Sequence, residues 1–283
     1  MEREERFMRR ALELAERALG ETFPNPAVGA VVVNGGEIAG EGYHKGPGSP
    51  HAEIEAIRDA GNRARGATLY LNLEPCCHFG RTPPCTGSIA EAGIARVVFG
   101  TFDPDERVRG KGAAALRESG IEVTSGLCAR EALELNLPYV HRNLTGRPFI
   151  AIKLATTLDG RLTWDDDRHL SGDAQQRFAH RLRAWTEAIA IGIGTLNKDR
   201  PKLDRRLFRE RMAPPVRMVF DSGLRFHEDY PWLAEKERVI VYCLANADPI
   251  RRRELESAGA EVVPLPRSLH GVDLRYWLED VST

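Results

Sequence analysis

The chain has 283 residues, 42% of them hydrophobic and 29% charged, enough for one large or two ordinary domains with apolar cores. With 40 basic and 41 acidic residues the formal net charge is −1, so no global charge excess points to nucleic acid or a membrane surface. No apolar run is long enough to span a bilayer, and the opening MEREERFMRRALELAERALG is charged and helical in period, unlike a secretory signal, so a cytoplasmic location is expected.

In that first helix Phe7, Leu12, Ala15 and Leu19 fall near one face. AVGAVVVNGGEIAGEGY reads as two strands joined around Asn34-Gly35. PHAEIEAIRDAG is a short helix ended by Gly61, and ATLYLNL is a buried strand running into EPCCHFGRTPPC. A helix from about Pro84 to Ala92, strand ARVVFG, helix GAAALRESG, strand IEVTSG and helix REALELNLPYVHRNL complete a first unit over 1–145. TGRP at 145–148 is the linker candidate. The second unit, 148–283, opens on strand FIAIKLA and helix DAQQRFAHRLRAW. Strands EAIAIGIG, VRMVFDS and RVIVYCL, helix DPIRRRELESAG and strand AEVVPL follow. Leu274, Trp277, Leu278 and Val281 give the last segment a helical spacing, and a unit of this kind ending on a helix reads as incomplete. Helices alternating with short apolar strands make both units α/β.

Three of the five cysteines and one histidine fall within residues 74–85. In a reducing compartment clustered thiols point to metal or catalysis rather than disulfides. A catalytic zinc takes three protein ligands and keeps one position for water. His51-Ala-Glu53 matches the H-x-E half of the zinc-deaminase signature, in which the glutamate carries protons and is not a ligand. Pro75-Cys76 opens the second half, but the next suitable thiol is Cys85, because adjacent Cys76 and Cys77 do not reach one ion without strain. The expected ligands are His51, Cys76 and Cys85, with Glu53 catalytic. His51 and Cys85 each sit at a helix start, where exposed N–H groups favour anionic ligands. Residues two apart on a helix do not share a face, so His51 and Glu53 converge only if the metal lies off the first turn. A closed structural zinc site including His78 is the alternative. Cys77, Cys128 and Cys243 read as packed thiols.

TFPNPAVGAVVV, GEGYHKGPGSPHAE, LEPCCHFGRTPPC and DPDERVRGKG resemble the N-terminal half of the bifunctional deaminase–reductase family of riboflavin biosynthesis, the RibD type. The resemblance covers essentially the whole first unit and implies a cytidine-deaminase-like three-layer fold. It implies zinc-dependent hydrolytic deamination of 2,5-diamino-6-(5-phosphoribosylamino)pyrimidin-4(3H)-one to the corresponding uracil. It also implies that Asn25, His44, His78 and Arg81 hold this small-molecule substrate, the last two on its phosphate side.

GIGT at 192–195 is a weak dinucleotide signal, since Asn197 stands where the third glycine of G-x-G-x-x-G belongs. IKLATTLDGRLT, RHLSGDAQQRFAHRLRAWTEAIAIGIGTLNKDRPKL and VFDS instead resemble the reductase half of the same family. That implies a dihydrofolate-reductase-like fold using NADPH to reduce a ribosyl to a ribityl group. Ala155, His169, Thr195, Asp199 and Ser222 are then cofactor-binding, and Asp167, Arg183, Leu203 and Arg206 substrate-binding. Lys153 and Asp159 are further candidates. Against the family pattern His169 replaces a tryptophan and Arg200 an aspartate. The family also continues into a glycine-pair loop and closing strands, so the reductase-like domain is expected to be partial. An open sheet edge after about residue 148 makes a homo-oligomer an expectation.

Competing readings are a deaminase with a non-functional reductase remnant, a nucleic-acid or nucleoside deaminase, and a zinc-stabilised binding protein without catalysis. The near-neutral charge and 7% aromatic content give no support to a nucleic-acid partner.

Overall fold

The computed structural model describes residues 2–79, 83–161, 172–204, 214–269 and 271–281. They form two compact units, 1–149 and 150–283.

The first unit runs α1 (Glu2–Glu16), β1 (Gly29–Asn34), β2 (Glu37–Tyr43), α2 (Ala52–Ala60), a 3-10 turn (Gly61–Ala64), β3 (Thr68–Leu73), α3 (Cys85–Glu91), β4 (Arg96–Thr101), α4 (Lys111–Glu118), β5 (Glu122–Ser125), α5 (Ala129–Leu135) and α6 (Leu137–Thr145). The strands make one sheet in the order β2-β1-β3-β4-β5. β1 is antiparallel to β2 and β3, while β3, β4 and β5 are parallel. Alternating side chains split the apolar residues between two faces. Ala30, Val32, Leu69, Leu71, Val97 and Phe99 face one core with Ala56 of α2, Ile89 of α3 and Leu116 of α4. Val31, Tyr70 and Val98 face the other, with Phe7, Met8, Ala11, Leu12 and Leu14 of α1 and Ala132 of α5. The sheet is thus a middle layer between helices. In α1 the buried stripe takes in Met8, Ala11 and Leu14, while Leu19 lies beyond the helix end.

Two local expectations need correction. Gly35 and Gly36, with φ of 61° and 83°, form the turn between β1 and β2, so Asn34 is the last strand residue and pairs with Glu37. Two successive positive φ values suit glycine and match the twist of the hairpin. The single helix expected over 130–144 is two helices, broken at Asn136, where φ −104° and ψ 18° leave the helical region. Pro138, in the first turn of α6, has no N–H to continue α5.

The second unit contains α7 (Asp173–Trp185), β6 (Ala188–Gly192), α8 (Ile193–Asp199), β7 (Val216–Phe220), α9 (Pro231–Ala234), β8 (Val239–Leu244), α10 (Pro249–Ser257), β9 (Glu261–Leu265), β10 (Arg267–Ser268), β11 (Gly271–Val272) and α11 (Leu274–Asp280). Strands β6-β7-β8-β9 lie in chain order and are all parallel. Right-handed crossovers between such strands put α8, α9 and α10 on one face. There Leu196, Trp232, Leu233 and Leu255 pack with Val219, Val241 and Cys243. On the opposite face Trp277 of α11 stands edge-on to Phe220 at 5.2 Å, and Tyr242 donates to Asp280 at 2.9 Å. The strand expected over 149–155 is absent: these residues carry no ladder, and Ile152 and Leu154 are 82% and 67% exposed. Alternating apolar residues make a strand only where a neighbour supplies hydrogen bonds.

Arg217 is a fully buried cation on β7. Its Nε and Nη2 donate to the Lys202 carbonyl at 3.3 and 3.2 Å, its Nη1 pairs with Glu237, and its guanidinium lies 4.9 Å from the Trp232 ring centre. Trp232 donates to the same carbonyl at 3.1 Å. The cluster fixes the segment after α8, where Arg200 and Leu203 have φ of 41° and 51°.

Candidate active site

Two helix N-termini and the end of β3 meet at one point. His51 is the N-cap of α2, and Cys85 is the first residue of α3. Cys76 follows β3, and it uses donors that α3 would otherwise leave unpaired. The Cys85 N–H points to its sulfur at 3.4 Å and the Thr86 N–H to its carbonyl at 3.2 Å. His51 Nδ1 lies 3.2 Å from Cys85 Sγ and 3.6 Å from Cys76 Sγ, and the three candidate donor atoms all lie within 4.8 Å of one another. Glu53, in the first turn of α2, is buried and within hydrogen-bonding reach of Cys85. Cys77 turns away, its sulfur 3.7 Å from the Arg107 carbonyl.

Burial raises the Glu53 carboxyl above the usual carboxylate range. The hydrogen bond with Cys76 raises His51. A hydrogen bond from Cys85 pulls Cys76 down, and the same bond pushes Cys85 up. Ionising both thiols beside a buried carboxyl calls for a nearby cation. Two sulfurs and an imidazole are the donor set that zinc takes in sites with a fourth position open. The residues fit the ion.

A second histidine extends the group. His44 and His51 rings meet edge to face at 5.4 Å. The His44 Nδ1 lies 3.2 Å from the Pro50 carbonyl, an acceptor only, so this nitrogen carries the proton. Nε2 therefore accepts from the Asn25 side-chain amide at 3.1 Å, which turns the Asn25 Oδ1 away from the imidazole. Burial lowers the His44 pKa, against the charged form of the ring. His78 lies on the loop between the two cysteines, and its Nδ1 is buried with no hydrogen-bond partner among the described residues. Arg81 lies outside the described residues.

Several buried polar groups escaped the sequence reading. Glu74, at the end of β3, accepts from the Gly110 and Ala113 N–H groups, each at 3.0 Å, and so anchors the approach to Cys76 on the start of α4. Asp103 accepts from Tyr139 at 3.0 Å, and burial pushes its pKa up to about 6. Asn72 and Asn136 both bind the backbone around Ala27. A polar residue inside an apolar strand run, as Asn72 is in LYLNL, is the one available signal, because a buried amide needs fixed partners.

In the second unit Thr195 lies in the first turn of α8 after β6, Asp199 ends that helix, and Ser222 follows β7. Gly192 pairs with Phe220, so Thr195 and Ser222 lie at the carboxyl edge of adjacent parallel strands. Ser222 also lines an open cleft of about 640 Å³ with Arg225, Asn246 and Arg267. The ends of parallel strands are where such sheets take ligands, and two guanidinium groups suit the phosphates of NADPH. Leu203 is buried in the loop held by Arg217, and Arg183 of α7 lies 3.2 Å from His180 Nδ1. Ala155 and Lys153 lie on the unpaired 149–155 segment, and Asp159 is exposed beside Arg161 at 3.1 Å. Ala155 is not among the residues that line the cleft. Asp167, His169 and Arg206 lie outside the described residues.

Residues 1–101 match the family model of the cytidine and deoxycytidylate deaminase zinc-binding region, and residues 148–283 match the RibD C-terminal domain. The chain is 46% identical over 261 residues to the riboflavin biosynthesis protein RibD of Aquifex aeolicus, covering 92% of this chain and 73% of that protein. It is 41% identical over 261 residues to RibD of Synechocystis sp., covering 91% and 70%. Among solved structures, one from Thermotoga maritima described as a diaminohydroxyphosphoribosylaminopyrimidine deaminase/5-amino-6-(5-phosphoribosylamino)uracil reductase matches with TM-score 0.83 and 36% identity, covering 99% of this chain and 78% of that one. RibD of Acinetobacter baumannii matches with TM-score 0.82 and 34% identity, covering 99% and 77%. Matched in both halves and along nearly all of its length, the chain belongs to the RibD family of riboflavin biosynthesis, in which a zinc deaminase is joined to an NADPH-dependent reductase.

Proposed function

We propose that the first unit deaminates 2,5-diamino-6-(5-phosphoribosylamino)pyrimidin-4(3H)-one hydrolytically to 5-amino-6-(5-phosphoribosylamino)uracil, with Glu53 as the proton carrier. The observation that carries the reading is the meeting of His51, Cys76 and Cys85 donors within 4.8 Å beside the buried Glu53. His51, Cys76 and Cys85 would hold zinc, which when bound makes water a nucleophile near neutral pH. Glu53 takes one proton from the attacking water and gives it to the ring nitrogen, then takes the second from the newly formed hydroxyl and gives it to the amino group, which leaves as ammonia. A carboxyl shielded from solvent passes each proton within the site and not to bulk water, which suits a shuttle.

Asn25 and His44 form the wall that meets the pyrimidine ring. With its amide nitrogen engaged by His44, Asn25 presents Oδ1 as an acceptor for an N–H of the ring. His78, with an unsatisfied Nδ1, and Arg81 hold the phosphate side. The second unit then reduces the ribosyl group to ribityl. NADPH supplies the hydride when bound; the cleft residues Ser222, Arg225 and Arg267 hold its phosphates, and Thr195 and Asp199 border the same sheet edge. Arg183, Leu203, Asp167 and Arg206 are the substrate contacts, with Ala155 and His169 toward the cofactor. The boundary between the domains lies in 145–148. A homo-oligomer through the open edge of the second sheet is part of this reading, and light scattering tests it.

The test is to supply the phosphoribosylated diaminopyrimidinone in heavy-oxygen water, with and without NADPH, and to weigh the products. Without NADPH the product carries one oxygen from solvent in place of the amino nitrogen. With NADPH that product gains two hydrogens. No solvent oxygen in the product contradicts the deaminase reading, and an unchanged product with NADPH contradicts the reductase reading alone.

A further inference from the structure

The corner that carries Asn25 has little backbone support of its own. Pro24 and Pro26 lack N–H groups, and Asn25 itself donates to the Thr22 carbonyl at 2.8 Å. What fixes the corner comes from elsewhere in the chain. Asn136 accepts from the Ala27 N–H at 2.8 Å and donates to the Ala27 carbonyl at 2.9 Å, so one side-chain amide holds both polar groups of that residue. Asn72 donates to the same carbonyl at 2.9 Å and accepts from the Gly29 N–H at 2.9 Å. Both asparagines are buried, Asn136 at 3% exposure and Asn72 at 0%. Every polar atom of the Asn136 side chain that points inward is engaged by Ala27, two residues from Asn25.

Asn136 owes its place to the break between α5 and α6, since a residue in the middle of one continuous helix would not adopt its φ and ψ. It also lies beyond residues 1–101, the span matched by the general deaminase zinc-binding region. His51, Glu53, Cys76 and Cys85 sit on α2, α3 and the end of β3, and among the contacts described none of them bonds to Asn136.

We propose that Asn136 is a positioning residue of the deaminase site: it holds the Pro24-Asn25-Pro26 corner through Ala27 and so sets affinity for the pyrimidine ring without touching it. This inference rests on the deaminase reading above. Because the clamp bears on Asn25 and not on the metal-binding helices, its loss weakens binding and leaves the chemical step in place. Because it acts through Asn25, its loss costs nothing further once the Asn25 side chain is gone.

The experiment is a double-mutant cycle in the full zinc-loaded chain, with Asn25→Ala, Asn136→Ala and both together. KM, kcat, zinc content and calorimetric affinity for the uracil product are measured for each. Asn136→Ala is expected to raise KM and the product Kd by about tenfold, with kcat within about twofold and zinc unchanged, and to add nothing on the Asn25→Ala background. Effects that multiply, a fall in kcat alone, or loss of zinc overturn the proposal. If Asn136→Ala does not fold, Asn136→Asp keeps the acceptor for Ala27 and is put through the same cycle with the same deciding outcomes. Hydrogen exchange in a peptide spanning 22–29 separates this inference from the substrate assignment. Exchange there must accelerate in the Asn136 variant whatever the enzyme turns over, and unchanged protection overturns the clamp. An enzyme that shows the acceleration but does not deaminate the pyrimidine overturns the substrate reading instead.

Discussion

Gly42 on β2 lies directly against the backbone of Ala52 in the first turn of α2: a β carbon at Gly42 would stand 2.5 Å from the Ala52 carbonyl oxygen. The same helix presents His51 and Glu53, so the depth of the active-site helix on the sheet depends on a missing side chain. Gly40, one turn further along the same packing, meets Ala60 in the same way. Gly42→Ala is therefore expected to destabilise the fold by roughly 1–3 kcal/mol through overpacking and to weaken zinc binding. Thermal unfolding and zinc titration check both effects. A variant as stable as the parent would mean that α2 can move outward freely.

Cys76 and Cys85 are expected to be ligands and Cys77 is not. Cys85→Ser should weaken zinc binding by more than ~100-fold, since even loss of a ligand's supporting partner typically costs 10–100-fold. Cys77→Ser, whose thiol only meets the Arg107 carbonyl, should retain full zinc. Metal analysis after dialysis against a chelator distinguishes the two, and equal loss in both would redraw the ligand set.

Asp103 predicts a pH dependence. Its pKa in the fold is about 6, above the 3.8 of a free aspartate, because burial disfavours the charged form. Between those values the folded state binds more protons than the unfolded state, so stability rises as pH falls through 6 toward 4. Above pH 6 the group is ionised in both states and the burial cost is fully present. Asp103→Asn, which keeps an acceptor for Tyr139, should remove that cost and raise stability at pH 7–8 by on the order of 2 kcal/mol. Denaturant titrations of both proteins at several pH values check this. A variant less stable than the parent at neutral pH would contradict it.

In the second unit the buried Arg217 holds several partners at once. Arg217→Ala leaves Glu237 without its cation and the Lys202 carbonyl with only the Trp232 donor. A loss of roughly 3–5 kcal/mol is expected. Replacing the pair together, Arg217→Met with Glu237→Leu, should recover much of it, because no buried charge is then left alone. Denaturation followed by tryptophan fluorescence reads both.

The strands and helices of the first unit were legible because their apolar residues alternate or recur at the right period. LYLNL and VVFG each divide between the two faces of the sheet, and Gly61 marks the end of α2. The His51, Glu53, Cys76 and Cys85 constellation was legible because adjacent thiols and a spaced H-x-E leave few geometries. What was not legible depended on distant partners. Asn136 meets Ala27 across 109 positions in the chain, and no local pattern announces such a pairing. The break between α5 and α6 had a local signal in Pro138, outweighed by an otherwise continuous helical spacing. The 149–155 segment had the alternation of a strand, but alternation reports which side chains could share a face and says nothing of whether a neighbouring strand is there. In the second unit the parallel strands were readable as apolar runs, whereas the Arg217 cluster needs Lys202, Trp232 and Glu237 brought together by folding.

The most direct test of the account is Glu53→Gln, which keeps shape and hydrogen-bonding capacity but cannot carry a proton, measured for zinc content and for deamination of the diaminopyrimidine phosphate in the same preparation. The account predicts full zinc, unchanged folding and a rate lowered by about 10²–10⁴-fold. Deamination at the parental rate with zinc in place would contradict it.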